Sequence, residues 1–169
     1  MRLSSASDPC TELLTRIINE RNWQRLNNML SASEGKVVIG GERDLEDLYI
    51  APTVVTDLTA EDSLMTEEIF GPILPILTVN NVEEAVQLIN SRDKPLSLYV
   101  FSTDKQVAEL FKARTSSGSM VINDAVVHLS VETLPFGGVG ASGMGSYHGR
   151  YTFTTFSHEK SVLVRDFSR

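Results

Sequence analysis

Thr66-Glu67-Glu68-Ile69-Phe70-Gly71-Pro72 places two carboxylates, an aromatic ring, a glycine and a proline in one short run near the middle of the chain. Proline disfavours the α region for the glycine before it, and glycine adopts dihedrals closed to other residues, so we predict a turn that projects its side chains. The Glu68 carboxylate can accept hydrogen bonds from paired hydroxyls such as those of a ribose, and Phe70 can offer a flat apolar face beside a ring. The alternative is the end of a helix or strand, with solvated carboxylates and a core Phe70.

Length and composition indicate one globular domain. The 169 residues are 41% hydrophobic and 22% charged, which is ordinary for a folded protein. The formal net charge is −7, and the sequence contains no cluster of lysine and arginine residues. We therefore expect no nucleic acid and no anionic membrane surface as partner.

The cysteine and histidine content limits the other classes. Cys10 is the one cysteine, so an internal disulfide is excluded, and we expect a cytoplasmic protein in a reducing compartment. No apolar run is long enough for a signal peptide or a transmembrane anchor. The spacings of His128, His148 and His158 match no zinc pattern, and we predict no metal site.

Helices and strands alternate along most of the chain. Apolar residues at three- and four-residue steps predict one helix that begins at Asp8-Pro9 and has its apolar face within residues 13–18, and a second helix whose apolar face lies within 23–30 and which ends near 31–35. Strands are predicted over residues 36–40, 53–58, 73–79, 96–101 and 119–123, with a surface loop at 42–47 and helices that begin after Asn80 and at Thr103 or Asp104. The order is typical of an α/β fold with an open, mainly parallel sheet and crossover helices. Asn123-Asp124 would follow the carboxyl end of a strand, where active groups of such sheets lie.

The segment 136–149 contains six glycines and breaks any regular element. It lacks the lysine and hydroxyl ending of a phosphate-binding loop, and no acidic residue frames it as a dinucleotide fingerprint. We expect its glycines to let the backbone pass close to other segments.

Glu67–Pro72 and the downstream Leu134-Pro135-Phe136-Gly137-Gly138 together resemble the paired signature of the C-terminal part of aldehyde dehydrogenases. Five further sequence segments narrow the resemblance to the class 3 branch, which includes the fatty aldehyde enzymes. These segments are Arg16–Asn19, Tyr49–Thr53, Gly140–Gly145, Tyr147–Gly149 and Thr155–His158. The similarity runs from about Leu14 to Val164. It implies a partial aldehyde dehydrogenase catalytic domain.

The resemblance assigns cofactor or substrate roles to five residues. Glu68 would bind the nicotinamide ribose hydroxyls of NAD or NADP, and Phe70 would lie beside the nicotinamide. Phe136 would line the tunnel for an aldehyde substrate, with Leu129 and Ser130 in its wall; a core aromatic under the glycine-rich segment is the alternative for Phe136. His148 and His158 would position their loops by hydrogen bonds. The family's nucleophilic cysteine has no match, since the context Asp8–Glu12 of Cys10 differs from it, so we assign no catalytic residue and expect no turnover from the chain alone.

The predicted organisation is an irregular leader at residues 1–12, the partial catalytic domain at 13–158, and a terminal oligomerisation strand and tail at 159–169. Class 3 relatives often end in a hydrophobic tail or a prenylation signal, which residues 163–169 do not show. Two hypotheses follow. The chain is part of an NAD(P)-dependent enzyme that oxidises fatty or aromatic aldehydes and forms a homodimer, or it is a non-catalytic module that associates with full-length subunits.

Overall fold

A computed structural model describes residues 14–167 of the protein. The chain divides after Asn80 into two compact units, here called the first unit and the second unit. Between them, the described residues contain four helices and seven strands.

The first unit is built around helix α1, Glu20–Ala32. Asn19 caps its start by accepting a hydrogen bond from the Asn22 N–H at 2.9 Å. The face predicted to be apolar is buried, and it forms one core with residues of the strands and loops: Trp23, Leu26, Met29, Leu30, Ile50, Val55, Leu64 and Ile73. The prediction of this helix is confirmed.

The segment before α1 does not follow its local pattern. Residues 14–18 form no helix, so the prediction of a helix over 13–18 is wrong there, and its proposed start at Asp8-Pro9 lies outside the described residues. The Ile17 N–H donates to the Leu48 carbonyl at 3.0 Å, and Ile18 is 84% exposed. A long-range backbone bond therefore replaces the local helical bonds that the apolar spacing indicated.

Five short strands complete the first unit. β1 is Lys36–Ile39, β2 is Arg43–Asp44, β3 is Tyr49–Ile50, β4 is Thr53–Thr56 and β5 is Ile73–Pro75. The sheet order is β1-β4-β5, with β1 antiparallel and β5 parallel to β4, while β2 and β3 form a separate antiparallel pair. Two corrections follow: the predicted loop at 42–47 contains β2, and the strand expected over 73–79 ends at Pro75.

The second unit contains a strand–helix–strand connection. β6, Ser97–Val100, and β7, Ser119–Ile122, are parallel neighbours in register from Ser97↔Ser119 to Val100↔Ile122. Helix α3, Lys105–Arg114, joins them, and α2, Val82–Asn90, precedes them. Val86, Val100 and Phe111 form the core of this unit. Asn81, one residue after the predicted cap, starts α2.

The α/β class and the parallel strands joined by a helix are confirmed. The strands that the structure describes fall into three small sheets. The sheet β1-β4-β5 is mixed, because β1 is antiparallel and β5 is parallel to β4, and the β2-β3 pair is antiparallel. A fourth helix, α4, covers Gly149–Thr155. Residues 157–167 belong to no sheet, so a terminal strand made with another subunit stays a prediction. None of the helices in the described range is long and apolar enough to cross a bilayer.

Asp62 is a buried carboxylate that ties the end of α1 to the 3-10 turn Ser63–Met65. It accepts hydrogen bonds from the Leu64 N–H at 2.9 Å, the Ser33 hydroxyl at 3.0 Å and the Glu34 N–H at 3.0 Å. Burial raises the pKa of this carboxyl, but the hydrogen bonds lower it by more, so the net pKa lies below the usual value for aspartate.

We expect Asp62→Asn to lower the free energy of unfolding by about 2 kcal/mol, because the amide presents donors where backbone and hydroxyl donors already point. Denaturant unfolding followed by the fluorescence of Trp23, the single tryptophan, measures it. Since the pKa is lowered in the folded state, the Asp62 contribution is present above the unfolded aspartate pKa of about 3.9 and is lost as the pH falls through the folded pKa. Glu61→Gln, an exposed neighbour, is the control, and equal stability of the two variants would contradict this account.

Candidate functional site

The run 66–72 forms a turn that presents its side chains to solvent. Phe70 is 85% exposed and its φ is +49°, in the left-handed region that a phenylalanine rarely adopts. Glu68 is also exposed, and its carboxylate makes no hydrogen bond to any residue in 14–167. The predicted turn is confirmed, and the alternative of a core Phe70 is wrong.

Arg25 on α1 fixes this turn by hydrogen bonds and an ion pair. Its guanidinium donates to the carbonyls of Glu68 at 3.2 Å and Ile69 at 2.5 Å, and it pairs with the Glu67 carboxylate at 3.3 Å. Two bonds to consecutive carbonyls fix the backbone just before Phe70, because the guanidinium is planar and rigid. Sequence reasoning missed Arg25, since nothing local connects it to a turn more than forty residues away.

Two backbone contacts complete the support of the turn. A Cβ on Gly71 would lie 2.6 Å from the Leu26 Cδ1, so the chain passes directly over the buried face of α1. The Pro72 carbonyl accepts a hydrogen bond from the Thr53 N–H at 2.8 Å, which joins the turn to the start of β4. Glu68 and Phe70 therefore project from a backbone that is fixed at both ends.

A pocket of 530 Å³ lies beside Phe70 in the first unit. Its lining consists of residues 14–18, Asn22, Ile50 and the run Phe70–Pro72. Phe70 thus forms part of an apolar wall, whereas Glu68 lies outside this lining.

The second unit carries the other three residues predicted to form a site. Leu129 is 42% exposed and Ser130 is exposed on the 3-10 turn Val127–Ser130. Phe136 is half-buried and exchanges two backbone hydrogen bonds with Tyr147, at 3.1 Å and 2.9 Å. Its ring centroid lies 5.5 Å from those of His128 and Tyr147. Phe136 is therefore packed by the glycine-rich segment on one side and keeps an accessible part on the other.

The glycine-rich segment packs backbone against backbone. A Cβ on Gly138 would lie 2.1 Å from the Ser142 carbonyl oxygen, and one on Gly118 would lie 2.2 Å from that of Gly137. These distances exclude any side chain and confirm the predicted close approach. The His148 Nδ1 lies 3.1 Å from the Leu134 carbonyl oxygen, which joins the end of this segment to the residues just before its start.

Asn123, predicted at the carboxyl end of a strand, directly follows β7. Its side chain accepts from the Ser102 N–H at 2.8 Å and donates to the Ser102 carbonyl at 2.9 Å, so it serves as a structural clip beyond β6. Within residues 14–167, no three histidine, cysteine, aspartate or glutamate side chains converge as metal ligands do.

Comparison with known proteins identifies the family. The model of the aldehyde dehydrogenase family matches residues 2–162, and the chain belongs to this family. It is 55% identical over 150 residues to the bovine dimeric NADP-preferring aldehyde dehydrogenase, with 89% of this chain and 62% of that one covered. It is 51% identical over 154 residues to aldehyde dehydrogenase family 3 member H1 of Arabidopsis thaliana, with 90% and 32% covered. The resemblance to the class 3 branch is confirmed.

Solved structures agree with this assignment. Staphylococcus aureus AldH in a substrate-bound state superposes with a TM-score of 0.82 at 45% identity, over 89% of this chain and 34% of that one. Indole-3-acetaldehyde dehydrogenase of P. syringae, as a variant in complex with NAD+ and IAA, gives a TM-score of 0.77 at 26% identity, over 87% and 30%. The chain spans about a third of the length of most of these relatives; for the Arabidopsis protein the share is 32%.

Proposed function

We propose that this chain supplies the ribose-binding carboxylate and part of the substrate wall of an enzyme that oxidises aldehydes to carboxylic acids with NAD+ or NADP+. The observation that carries the proposal is the turn 66–72, where a Glu68 carboxylate with no partner within residues 14–167 and an exposed Phe70 ring project from a backbone fixed by Arg25. A backbone held in this way keeps its side chains in place without help from the ligand.

The residues of the turn fit a nicotinamide cofactor. Glu68 can accept two hydrogen bonds from vicinal ribose hydroxyls, because both carboxylate oxygens lack partners among residues 14–167. Phe70 can cover one face of the nicotinamide, because its ring is exposed and its backbone is fixed. When bound, the cofactor accepts the hydride that leaves the substrate.

The substrate side would take an apolar aldehyde. Leu129 and its neighbours Val126 and Val127 expose 42%, 57% and 48% of their surface, so the turn that carries Ser130 presents an apolar face. Such a face binds a hydrocarbon chain or an aromatic ring by burying its surface. Fatty and aromatic aldehydes are the substrate class that follows.

We assign no catalytic residue to this chain. Cys10, its one cysteine, lies outside the described residues and in a sequence context unlike that of the family nucleophile. The thiolate that attacks the aldehyde and the base that activates water are therefore proposed to lie on other sequence, and the chain alone is expected to be inactive.

A chimera tests the proposal. This chain replaces the matching third of the rat dimeric NADP-preferring enzyme, to which it is 51% identical over 150 residues. We expect the chimera to reduce NAD+ or NADP+ with a medium-chain aldehyde, and the rat protein without that third to be inactive. A soluble chimera that binds neither cofactor nor aldehyde would refute the proposal, as would turnover by the 169-residue chain alone.

In this chimera we expect Glu68→Gln to lower kcat/KM for NAD+ by about 30-fold, because a charge-assisted pair of hydrogen bonds to the ribose is worth about 2 kcal/mol. We expect the rate of hydride transfer to fall while the circular dichroism spectrum, and hence the fold, stays the same. Glu42→Gln, another exposed carboxylate of the first unit, is the matched control. Equal kinetics for the two variants would remove Glu68 from the cofactor site.

A second candidate function is association with full-length subunits. The segment 162–164 favours it, because Val162, Leu163 and Val164 are 72%, 96% and 84% exposed in the single chain. Such an apolar run can add to a sheet edge of a partner. Co-purification of the chain with full-length rat enzyme, and its loss in a triple exchange of these residues for serine, would support this function; a chain that stays monomeric in the mixture would refute it.

We also propose cytoplasmic placement, which rests on the single cysteine. Cell fractionation checks it, and recovery of the protein in an oxidising compartment would contradict it.

A further inference from the structure

His128 is the only buried residue between positions 122 and 135, a range that the structure describes in full. It is 8% exposed, whereas every other residue of this range is exposed. Leu129 and Ser130 follow it in the same 3-10 turn, Val127–Ser130. The turn that would form the substrate wall therefore has one side chain in the interior of the second unit.

The imidazole is bound to the start of the parallel strand pair. Its Nε2 lies 3.0 Å from the Ser119 hydroxyl and 3.2 Å from the Ser97 hydroxyl, and the two hydroxyls lie 2.8 Å apart. Ser97 and Ser119 are register partners at the first positions of β6 and β7. Because these strands are held by their own ladder, His128 connects the turn to the most regular part of the unit.

The same ring contacts Phe136. The two ring centroids are 5.5 Å apart, and on another side the Tyr99 ring meets His128 edge-on at 5.9 Å. Such aromatic contacts fix the ring planes relative to each other. One side chain therefore supports both parts of the proposed substrate wall, the turn 127–130 and Phe136.

The backbone before His128 needs such an anchor. Val126, two residues before His128, has a φ of +68°, and the left-handed region is costly for a β-branched residue. Strained dihedrals of this kind persist only when the surrounding structure determines them, and they cluster at functional sites.

The anchor also carries a cost of its own. The Nδ1 of His128 is buried and has no hydrogen-bond partner among the described residues. A buried polar atom without a partner destabilises the fold, so an apolar side chain would suit a purely structural position better.

We infer that His128 is a positioning residue for the aldehyde: by joining the Ser97–Ser119 pair to Phe136, it sets the place of Leu129 and Ser130 and thereby the selectivity for long apolar substrates. This inference rests on the proposed function and deepens it on the substrate side. His128 is not a catalytic residue, because it acts through the side chains that it holds.

The test uses the chimera with His128→Phe, which keeps a ring and loses the serine bonds, and His128→Gln, whose amide can still reach a serine hydroxyl. For His128→Phe we expect KM for decanal to rise about ten-fold, because a displaced wall loses apolar contacts. KM for NAD+ and kcat/KM for propanal should change by less than about twofold. His128→Gln should recover most of the affinity for decanal, and Glu159→Gln, at an exposed carboxylate of the same unit, is the control.

Hydrogen exchange in the 169-residue chain gives a readout without turnover. His128→Phe and the milder Ser119→Ala should both speed exchange over residues 122–136 and leave α2 and α3 unchanged. Equal acceleration throughout the second unit would show a general structural role and would overturn the inference.

The kinetic outcomes separate this inference from the proposed function. An active parent chimera whose His128→Phe variant keeps its selectivity, or loses NAD+ and decanal affinity equally, would overturn the role of His128 alone. An inactive parent would refute the proposed function, and with it any substrate role for this residue.

Discussion

Leu26→Ala should lower the free energy of unfolding of the first unit by about 4 kcal/mol, the largest effect that we expect from a single substitution. Leu26 is 0% exposed at the centre of the core around α1, so truncation removes buried methyl groups and leaves a cavity. The loss is a large fraction of the total stability of an ordinary domain. Denaturant unfolding monitored by Trp23 fluorescence measures it directly, because Trp23 packs in the same core.

The same substitution should loosen the turn 66–72. Gly71 lies directly on Leu26, so the cavity opens beneath the residues that present Glu68 and Phe70. Ile18→Ala, at a side chain that is 84% exposed, is the control and should change stability by less than about 0.5 kcal/mol. If both substitutions cost the same, Leu26 is not the central residue of this core.

The second large effect is expected at Gly118→Ala. A Cβ there would lie 2.2 Å from the Gly137 carbonyl oxygen, 2.7 Å from that of Leu96 and 3.0 Å from the Gly138 Cα. All three are backbone atoms that cannot rotate away, so the start of β7 and the glycine-rich segment must separate. We expect a loss of about 3 kcal/mol in the free energy of unfolding.

Gly140→Ala is the matched control for that prediction. Its φ of +64° makes alanine unfavourable, but the nearest atom is the Lys94 Cδ at 3.5 Å, at the flexible side chain of a lysine. The expected cost is about 1 kcal/mol, from backbone strain alone. Hydrogen exchange of the β6–β7 ladder distinguishes the two variants, and equal protection would contradict the close-packing account.

Local patterns predicted the elements whose bonds are local. The spacing of Trp23, Leu26, Met29 and Leu30 predicted α1, because a helix satisfies its backbone within itself and needs only one apolar face. The caps of α2 and α3 were predicted to within one residue for the same reason, since Asn81 and Asp104 bond to N–H groups two or three residues away.

Predictions failed where distant residues decide the structure. Residues 14–18 have helical spacing, yet the bond from Ile17 to Leu48 extends them. The two-residue strands β2 and β3 are too short to leave a period in the sequence.

In the candidate site, too, local features were predictable and long-range contacts were not. The turn at 66–72 was predicted from its glycine and proline, although its left-handed residue is Phe70 and not Gly71. Arg25 bonds to the distant Glu68 and Ile69 and His128 to the distant Ser97, so neither role carries a local signal. The five residues assigned by family resemblance keep their roles as predictions, and the chimera experiments test them.

The left-handed backbone of Phe70 points to a compromise between folding and use. Glycine would occupy that conformation without strain, and a polar side chain would tolerate 85% exposure with no hydrophobic cost. Folding alone thus gives no reason for a large aromatic at position 70. Protein engineers who optimise thermal tolerance would be drawn to replace it, and by doing so would remove the ring that we propose to cover the nicotinamide.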